Sequence, residues 1–282
     1  MSFEVEHTSD EVVTVRHVGF GSGWEQEYLL ISDVHFDSPH CDRRLLSKHL
    51  DEAVSRGAGI LVCGDWFDAM GGKNDKRANK STTRPEDTKD NYFDIIVDNS
   101  ADYLAPYAKH IVLMGEGNHE TAITKHNETN ILGRLCSLLH VVHMGYSYFC
   151  RFHFQRNGKG GRTSRVLYGH HGSGGGGQVT KGVIGNHRRA ASVLADIHHT
   201  GHVHEYSVQE YKRLMLTEQS KVREESAWHV ITPGYQRDYQ MRGSYQVQKG
   251  NSPKPVGGAW LRFYYCQGAL GEMGIEVVKT RE

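Results

Sequence analysis

The chain has no surplus of charge of either sign. Its 33 lysines and arginines balance 33 aspartates and glutamates, so the formal net charge is zero. Proteins that bind long nucleic acids mainly through the phosphates usually carry an excess or a patch of basic residues. The charge balance gives no such signature, and we do not expect tight non-specific binding to long nucleic acid.

Long apolar runs are also missing, and cysteines are few. No stretch is long enough to cross a bilayer, and the polar residues 1–6 have no signal-peptide character. The five cysteines are odd in number and scattered, and none of them forms a CxxC pair. We therefore expect a cytoplasmic protein with reduced thiols and without a membrane partner.

Strand-like and helix-like segments alternate through the first two thirds of the chain. The predicted elements are an opening strand over 11–18, helices over 43–56, 92–108 and 128–140, and a helix over 187–195 capped by Asn186. After residue 204 only short strand-like pieces are predicted, over 206–216, 227–232 and 258–265. This order favours a layered α/β sandwich over a doubly wound sheet, and we expect a single domain over residues 1–282.

The informative feature of the sequence is a series of five short motifs rich in aspartate and histidine. In chain order they are Asp33-Val34-His35, Gly64-Asp65-Trp66-Phe67-Asp68, Gly117-Asn118-His119-Glu120, His170-His171-Gly172 and Gly201-His202-Val203-His204. Most of them follow an apolar run that is typical of a buried strand. Because ligands of open α/β sheets bind outside the carboxyl ends of the strands, we expect these side chains to converge on one site.

Together the motifs supply the ligands of a two-metal centre. Aspartate and histidine suit Mn²⁺, Fe or Zn²⁺ better than Mg²⁺. A carboxylate such as Asp65 can bridge two cations about 3.5–4 Å apart, and such a pair can activate water and bind a phosphoryl group. His119 is well placed to protonate the leaving oxygen. Each motif alone is more often incidental, but all five in this order predict a metal site.

The motifs closely resemble those of the calcineurin-like metallophosphoesterase superfamily, and the resemblance covers residues 29–204. It implies a four-layer αββα sandwich with two mixed β-sheets and a binuclear centre, with Mn²⁺ favoured and a metal-bridging hydroxide as the nucleophile. The implied ligands are Asp33, His35, Asp65 and His204 for the first metal, and Asp65, Asn118, His171 and His202 for the second. His119 would be the general acid, oriented by Asp68 and supported by Glu120. His170 remains an alternative to its neighbour His171.

Two positions differ from the protein-phosphatase branch of that superfamily. The branch has an arginine after the last aspartate of the second motif and another before the Gly-Asn-His-Glu motif, where this chain has Ala69 and Glu116. Each arginine would bind a phosphomonoester dianion through paired hydrogen bonds. We therefore expect a phosphodiesterase that acts on a nucleotide or a nucleic acid. A phosphomonoesterase is the alternative, a non-catalytic scaffold is less favoured, and the oligomeric state is open.

Two further groups of residues are candidates for substrate contacts. The polar segment 71–91 is either a solvated insertion or a mildly basic flap over the metal site. Aromatic side chains could stack on nucleic acid bases, although packing within the sheets is their more common role. These are Trp66, Phe67, Tyr235, Tyr239 and Tyr245, with Arg237 and Arg242 among the tyrosines.

Overall fold

The computed structural model describes residues 3–70, 83–87, 90–156, 161–175, 177, 179–237, 239, 247, 250, 252–266 and 273–282. Within these ranges the chain forms thirteen β-strands and five α-helices. They are β1 (Phe3–Ser9), β2 (Val12–Phe20), β3 (Glu25–Ile31), α1 (Arg43–Ser55), β4 (Gly59–Cys63), α2 (Tyr92–Leu104), β5 (Ile111–Gly115), α3 (Asn118–Asn127), α4 (Ile131–Leu139), β6 (His143–Met144), β7 (Ser147–Arg156), β8 (Arg162–His170), α5 (Val183–Ala190), β9 (Ile197–Thr200), β10 (Ser207–Leu216), β11 (Val222–Ile231), β12 (Ala259–Tyr265) and β13 (Met273–Lys279). Short 3₁₀ helices cover Pro85–Asp87 and Ala105–His110.

The strands form two mixed sheets, which confirms the predicted sandwich. One sheet has the order β1-β2-β7-β8-β9-β11-β10, and the other has the order β13-β12-β3-β4-β5-β6. Strands β3, β4 and β5 are parallel to one another, and β8 is parallel to β9. The carboxyl ends of each parallel group therefore lie at the same edge of their sheet.

The side-chain pattern of β3 explains why the six-stranded sheet is covered on both faces. Leu29 and Ile31 pack against apolar side chains of α1, α2 and α4. Tyr28 and Leu30 point the other way and pack with side chains of the seven-stranded sheet. Successive side chains of a strand point to opposite faces, so a strand that is covered on both sides must be apolar throughout. Burial of each such leucine or isoleucine side chain stabilises the folded state by about 1.5–3 kcal/mol.

The first two helices follow local signals in the sequence. Asp42 caps α1, because its carboxylate accepts the N–H of Leu45 at 2.9 Å. Helix α2 ends at Leu104 instead of residue 108, and a 3₁₀ helix continues the chain. Pro106 explains the earlier end, since proline lacks an N–H and disrupts an α-helix interior. None of the helices in the described part of the chain combines the length and the apolar character needed to cross a bilayer.

The helix after the fourth motif differs from the prediction. Helix α5 spans Val183–Ala190, so Asn186 lies within it and does not cap a helix over 187–195. Gly182 precedes the helix with a φ of 79°, and a Cβ at this position would lie 2.8 Å from Val203. Glycine enters this left-handed conformation without a steric penalty. The helix therefore begins at a glycine and not at a polar cap. Strands β1, β6, β7, β9 and β13 and helix α3 were not predicted either.

Three histidines lie between the seven-stranded sheet and α5. His198 of β9 and His229 of β11 are buried with ring centroids 5.1 Å apart, and His187 of α5 is 4.6 Å from His229. The ring nitrogens of His198 and His229 have no hydrogen-bond partner among the described residues. Burial, reinforced by nearby positive charge such as that of Arg189, lowers the pKa of His198 to about 4 and that of His229 to about 3. Both rings are therefore neutral in the folded protein near neutral pH.

We predict that these neutral histidines make the fold sensitive to acid. An unperturbed histidine has a pKa of about 6.5, so below that pH the unfolded chain takes up protons that the folded chain does not bind. Their contribution to stability is complete above about pH 6.5 and is lost as the pH falls towards the lowered pKa values. The melting temperature of metal-free His229→Phe should therefore fall less than that of the wild type between about pH 7.5 and about pH 5.

The matched control for this experiment is His126→Asn, because His126 is exposed on α3. This variant should show the same dependence of melting temperature on pH as the wild type. If His229→Phe also lost stability as steeply as the wild type, the neutral state of the buried ring would be contradicted.

Candidate metal centre

The five motifs meet where strand ends of the two sheets face each other. Strands β3, β4 and β5 lead into the first three motifs, and β8 and β9 lead into the last two. The loops after β3 and β4 are joined by backbone hydrogen bonds. The N–H of Asp33 donates to the carbonyl of Gly64 at 3.0 Å, and that of His35 donates to the carbonyl of Asp65 at 3.1 Å. These bonds bring the first two motifs side by side.

Asp33, His35 and His204 form one group of potential metal ligands. Their ligand atoms all lie within 4.8 Å of one another. The Nε2 of His204 is 3.4 Å from the Oδ1 of Asp33. The Asp33 carboxylate is fully buried and also accepts the backbone N–H of His202. The nitrogen of His202 lies 3.0 Å from the Oδ1 and 2.9 Å from the Oδ2 of Asp33. Asp33 therefore links the first motif directly to the last.

Asp65, His171 and His202 form a second group with the same spacing of ligand atoms. The Nε2 of His171 lies 3.0 Å from the Oδ2 of Asp65. The amide oxygen of Asn118 belongs to this group, since it lies 3.1 Å from the Nε2 of His171 and 2.7 Å from the Nδ1 of His202. All seven residues predicted as metal ligands are thus brought together.

The two adjacent histidines of the fourth motif have different environments. His171 is fully buried and donates its Nδ1–H to the carbonyl of Cys63 at 2.9 Å, which directs Nε2 towards Asp65. The Nδ1 of His170 instead accepts the N–H of Gly172 at 3.0 Å. Burial and then the charge of Arg189 lower the pKa of His170 to about 4. The geometry therefore favours His171 over His170 as a ligand.

Asp65 lies between the two groups. Its Oδ2 is 3.0 Å from the Nε2 of His171 and 4.0 Å from the Nε2 of His35, so one carboxylate faces both. Its Oδ1 accepts the N–H of His119 at 3.0 Å, in the first turn of α3. Burial opposes ionisation, but the charges of His171, His119 and His35 hold the pKa of Asp65 well below its ordinary value. An ionised carboxylate at this position can bridge two cations.

The orientation of the rings fits divalent metal ions. The buried Nε2 of His35 has no hydrogen-bond partner among the described residues, while its Nδ1–H donates to the Asp68 carboxylate at 2.9 Å. A buried polar atom without a partner requires an explanation, and a bound ion is one. Metal-binding histidines usually donate the other ring N–H to a carboxylate or a carbonyl, as His35 and His171 both do. Carboxylate, amide and imidazole donors together suit Mn²⁺, Fe or Zn²⁺.

Electrostatics also favour cations in this cluster. Burial lowers the pKa of His35 and His171, but the surrounding aspartates outweigh it and raise these pKa values to about 9 and about 10. The charge of Asp65 contributes to both shifts, and that of Asp68 is the larger influence on His35. The site therefore stabilises positive charge, which divalent ions can supply in place of protons.

The backbone is strained at most of the potential ligands. A positive φ between 48° and 70° is found at Asp33, His35, Asp65, His202 and His204. Residues other than glycine seldom adopt this left-handed conformation, and each instance costs on the order of 1–3 kcal/mol. Such strain persists only where the surrounding structure enforces it, and it concentrates at functional sites. Its presence at five ligands around one point supports a binding role for this site.

His119 lies at the rim of the centre, with 11% of its side chain exposed. It donates its Nδ1–H to the backbone carbonyl of Asp68 at 2.6 Å, and its Nε2 lies 3.9 Å from the Oδ2 of Asp65. Asp68 thus contacts His119 mainly through its peptide carbonyl, because its carboxylate is hydrogen bonded to His35. His119 also forms a third group of potential ligands with His35 and Asp65. The geometry alone allows His119 to act as a proton donor or as a ligand.

Glu120 joins the second and third motifs through the backbone. Its carboxylate accepts the N–H groups of Gly117 at 2.8 Å, Phe67 at 2.9 Å and Asp65 at 3.2 Å. Burial, and then the charge of Asp65, raises the pKa of Glu120 to about 7. Glu120 therefore positions the loop that presents Asp65.

Three of the predicted base-stacking side chains lie in the interior. Trp66 and Phe67 are fully buried, and the indole N–H of Trp66 donates to the Oγ of Ser100 at 3.1 Å. Tyr235 is fully buried, and its hydroxyl is 2.9 Å from the Nδ1 of His49. Burial in the core removes their faces from any ligand, so these residues do not stack on bases, and Tyr235 follows the favoured alternative of packing in the interior.

The other predicted substrate contacts are only partly described. Tyr239 is 46% exposed, and Arg237 is paired with Asp42. Tyr245, Arg242 and residues 71–82 and 88–89 of the polar segment lie outside the described residues.

Asp37 was not predicted to take part in the site. It is buried, and its carboxylate accepts the N–H groups of Asp68 at 2.6 Å and Ala69 at 2.9 Å. The available signal was the alternation of Asp33, His35 and Asp37 after a buried strand. The Asp-x-His motif covers only its first two members.

No family model and no curated protein matches the chain. Solved structures that it resembles include a predicted phosphoesterase from Streptococcus pneumoniae, with 12% identity over 92% of this chain and 91% of that chain and a TM-score of 0.36. Vps29 from Chaetomium thermophilum has 10% identity over 90% and 95% of the two chains, with a TM-score of 0.40. A metallophosphoesterase from Sphaerobacter thermophilus has 10% identity over 91% and 90%, with a TM-score of 0.37. Because these TM-scores lie below 0.5, the functional assignment rests on the geometry of the site.

We predict that Gly117→Ala disrupts metal binding. An added Cβ would lie 2.1 Å from the Oδ1 of Asp65 and 2.5 Å from its backbone nitrogen, so Asp65 would have to move. The affinity for Mn²⁺, measured by equilibrium dialysis and elemental analysis, should fall about 10–100-fold, as for the loss of other groups that orient ligands. Gly145→Ala is the control, because a Cβ there meets nothing within 4 Å. Unchanged affinity in Gly117→Ala would show that Asp65 is not required in its present position.

Proposed function

We propose that the protein is a divalent-metal-dependent phosphoester hydrolase that prefers phosphodiesters. The observation that carries this proposal is the position of the Asp65 carboxylate between two groups of nitrogen and oxygen ligands. Asp33, His35 and His204, with Asp65, would hold one ion, and Asn118, His171 and His202, with Asp65, would hold the other. Two such ions would polarise a phosphoryl oxygen and make water a strong nucleophile near neutral pH.

His119 would supply the proton to the leaving oxygen. The hydrogen bond from its Nδ1–H to the Asp68 carbonyl fixes the ring, so that the proton to be transferred would be carried on Nε2 at the rim of the site. A histidine in this role typically accelerates a reaction by about 10²–10⁴-fold. The variant His119→Ala distinguishes this role from metal binding.

The preference for diesters is supported by two positions next to the motifs. Ala69 is buried, and the Oε1 of Glu116 lies 3.1 Å from the Nδ2 of Asn130 and 3.2 Å from the Nε2 of His143. Neither position offers a guanidinium, which would bind a phosphomonoester dianion by paired hydrogen bonds. A diester carries only one negative charge on the phosphate and needs this group less.

We further propose Mn²⁺ as the metal, nucleotides or nucleic acids as the substrate class, and the cytoplasm as the location. The mixed donor set supports the metal assignment. The zero net charge favours small nucleotide diesters over long nucleic acids. All five cysteines are free thiols, which supports a reducing compartment.

The test of the proposed function compares two substrates. With Mn²⁺, the purified protein should hydrolyse bis-p-nitrophenyl phosphate faster than p-nitrophenyl phosphate, and a chelator should abolish both activities. Asp65→Asn should bind less metal and lose both activities. Faster hydrolysis of the monoester would indicate a phosphomonoesterase. Failure to bind metal from Mn²⁺-supplemented buffer would favour a scaffold.

We predict that His119→Ala retains both metal ions but loses activity selectively. Turnover should fall by about 10²-fold or more on diesters with poor leaving groups, and much less on nitrophenyl esters, whose leaving oxygen needs no proton. Kinetics on both substrate types and the metal content of the variant provide the measurement. Loss of the ions from His119→Ala would instead identify His119 as a ligand.

A further inference from the structure

Asp37 is buried, and its carboxylate is hydrogen bonded to the turn that follows the second motif. Its side chain is 2% exposed. Besides the N–H groups of Asp68 and Ala69, its carboxylate accepts the hydroxyl proton of Tyr92 at 2.6 Å. Three donors thus converge on one carboxylate, and two of them belong to consecutive peptides.

These consecutive peptides form a turn that is difficult to hold. Ala69 has a φ of 55°, a left-handed conformation that is rare for residues other than glycine. A strained conformation of this kind persists when surrounding contacts enforce it. The Asp37 carboxylate provides such contacts, because it binds the N–H groups on both sides of the Asp68 α-carbon.

Asp68 lies in the turn held by Asp37 and forms hydrogen bonds with two histidines of the site. The carbonyl of Asp68 accepts the Nδ1–H of His119 at 2.6 Å, and its carboxylate accepts the Nδ1–H of His35 at 2.9 Å. The carbonyl group belongs to the same peptide as the N–H of Ala69, which donates to Asp37. The direction of the carbonyl that orients His119 is therefore set by Asp37.

We propose that Asp37, supported by Tyr92, is a positioning residue for the general acid His119. The inference rests on the proposed function. Asp37 acts through the peptide group between Asp68 and Ala69. It accepts the Ala69 N–H of this peptide, and the Asp68 carbonyl of the same peptide accepts the Nδ1–H of His119. The ring is thereby held so that Nε2 is directed at the leaving oxygen. Asp37 belongs to none of the groups of potential metal ligands among the described residues.

The test uses two diesters that differ only in the leaving group, methyl p-nitrophenyl phosphate and methyl phenyl phosphate. Asp37→Asn replaces an acceptor oxygen with an NH₂ group that cannot accept a backbone N–H. Its turnover on the phenyl ester should fall about tenfold further than on the nitrophenyl ester, within the range that a general acid contributes. Tyr92→Phe removes one of the three hydrogen bonds and should shift the same ratio in the same direction by less.

A double-mutant cycle separates positioning from general stabilisation. In the His119→Ala background, Asp37→Asn should cause no further leaving-group-dependent loss, because the group that it positions is absent. Asp42→Asn is the matched control, since Asp42 also accepts a backbone N–H but caps α1 and does not contact Asp68. This variant should leave the ratio of the two turnover rates unchanged.

The possible outcomes distinguish this inference from the proposed function. Equal loss on both esters in Asp37→Asn and Tyr92→Phe, or a loss that adds fully to that of His119→Ala, would overturn the positioning role. If the loss of turnover in His119→Ala did not depend on the leaving group, the role of His119 as the general acid would be contradicted. That result would refute the proposed function of His119 independently of Asp37. If Asp37→Asn did not fold, the ratio measured for Tyr92→Phe would decide alone.

Discussion

The Asp65 carboxylate has to stay ionised and in a fixed position in the interior while it faces imidazoles on two sides, and the nearby structure serves both requirements. The first turn of α3 supplies the N–H of His119 to one carboxylate oxygen. Glu120 accepts the N–H of Asp65 itself, and Gly117 leaves room where any side chain would collide with the carboxylate. The charges of His171, His119 and His35 keep the carboxylate ionised, although burial favours the neutral carboxylic acid, which is a poor ligand. The strained backbone at Asp65 indicates how tightly this position is specified.

The sandwich supplies the framework that holds this position. Strands β4 and β5 are buried along their whole length, between the helices on one side and the seven-stranded sheet on the other. Strands packed on both faces move little, so the loops at their carboxyl ends are anchored at fixed points. One sheet contributes Asp33, Asp65 and Asn118, and the other contributes His171 and His202. The metal centre is therefore also a contact between the two sheets, and bound ions should strengthen the association of both layers.

Much of the site could be predicted from the sequence, because apolar runs that end in Asp and His motifs indicate where strands deliver side chains. Hydrophobic periodicity does not indicate the direction of a side chain on a strained turn. Asp68 was therefore expected to orient His119 with its carboxylate, whereas it uses its carbonyl and binds His35 with the carboxylate. The burial of Trp66 is hidden from the sequence for a similar reason, since it depends on the packing of α2. The alternation of Asp33, His35 and Asp37 indicates the place of Asp37, but its role depends on a contact across 31 residues of sequence.

The proposed chemistry depends most directly on two ions that share Asp65. Crystals grown with Mn²⁺ and measured at an anomalous scattering wavelength of manganese would locate each ion without assumptions about its ligands. We expect two peaks about 3.5–4 Å apart on either side of the Asp65 carboxylate, one beside His35 and the other beside His171. A single peak, or two ions that do not contact Asp65, would contradict a binuclear centre bridged by this carboxylate.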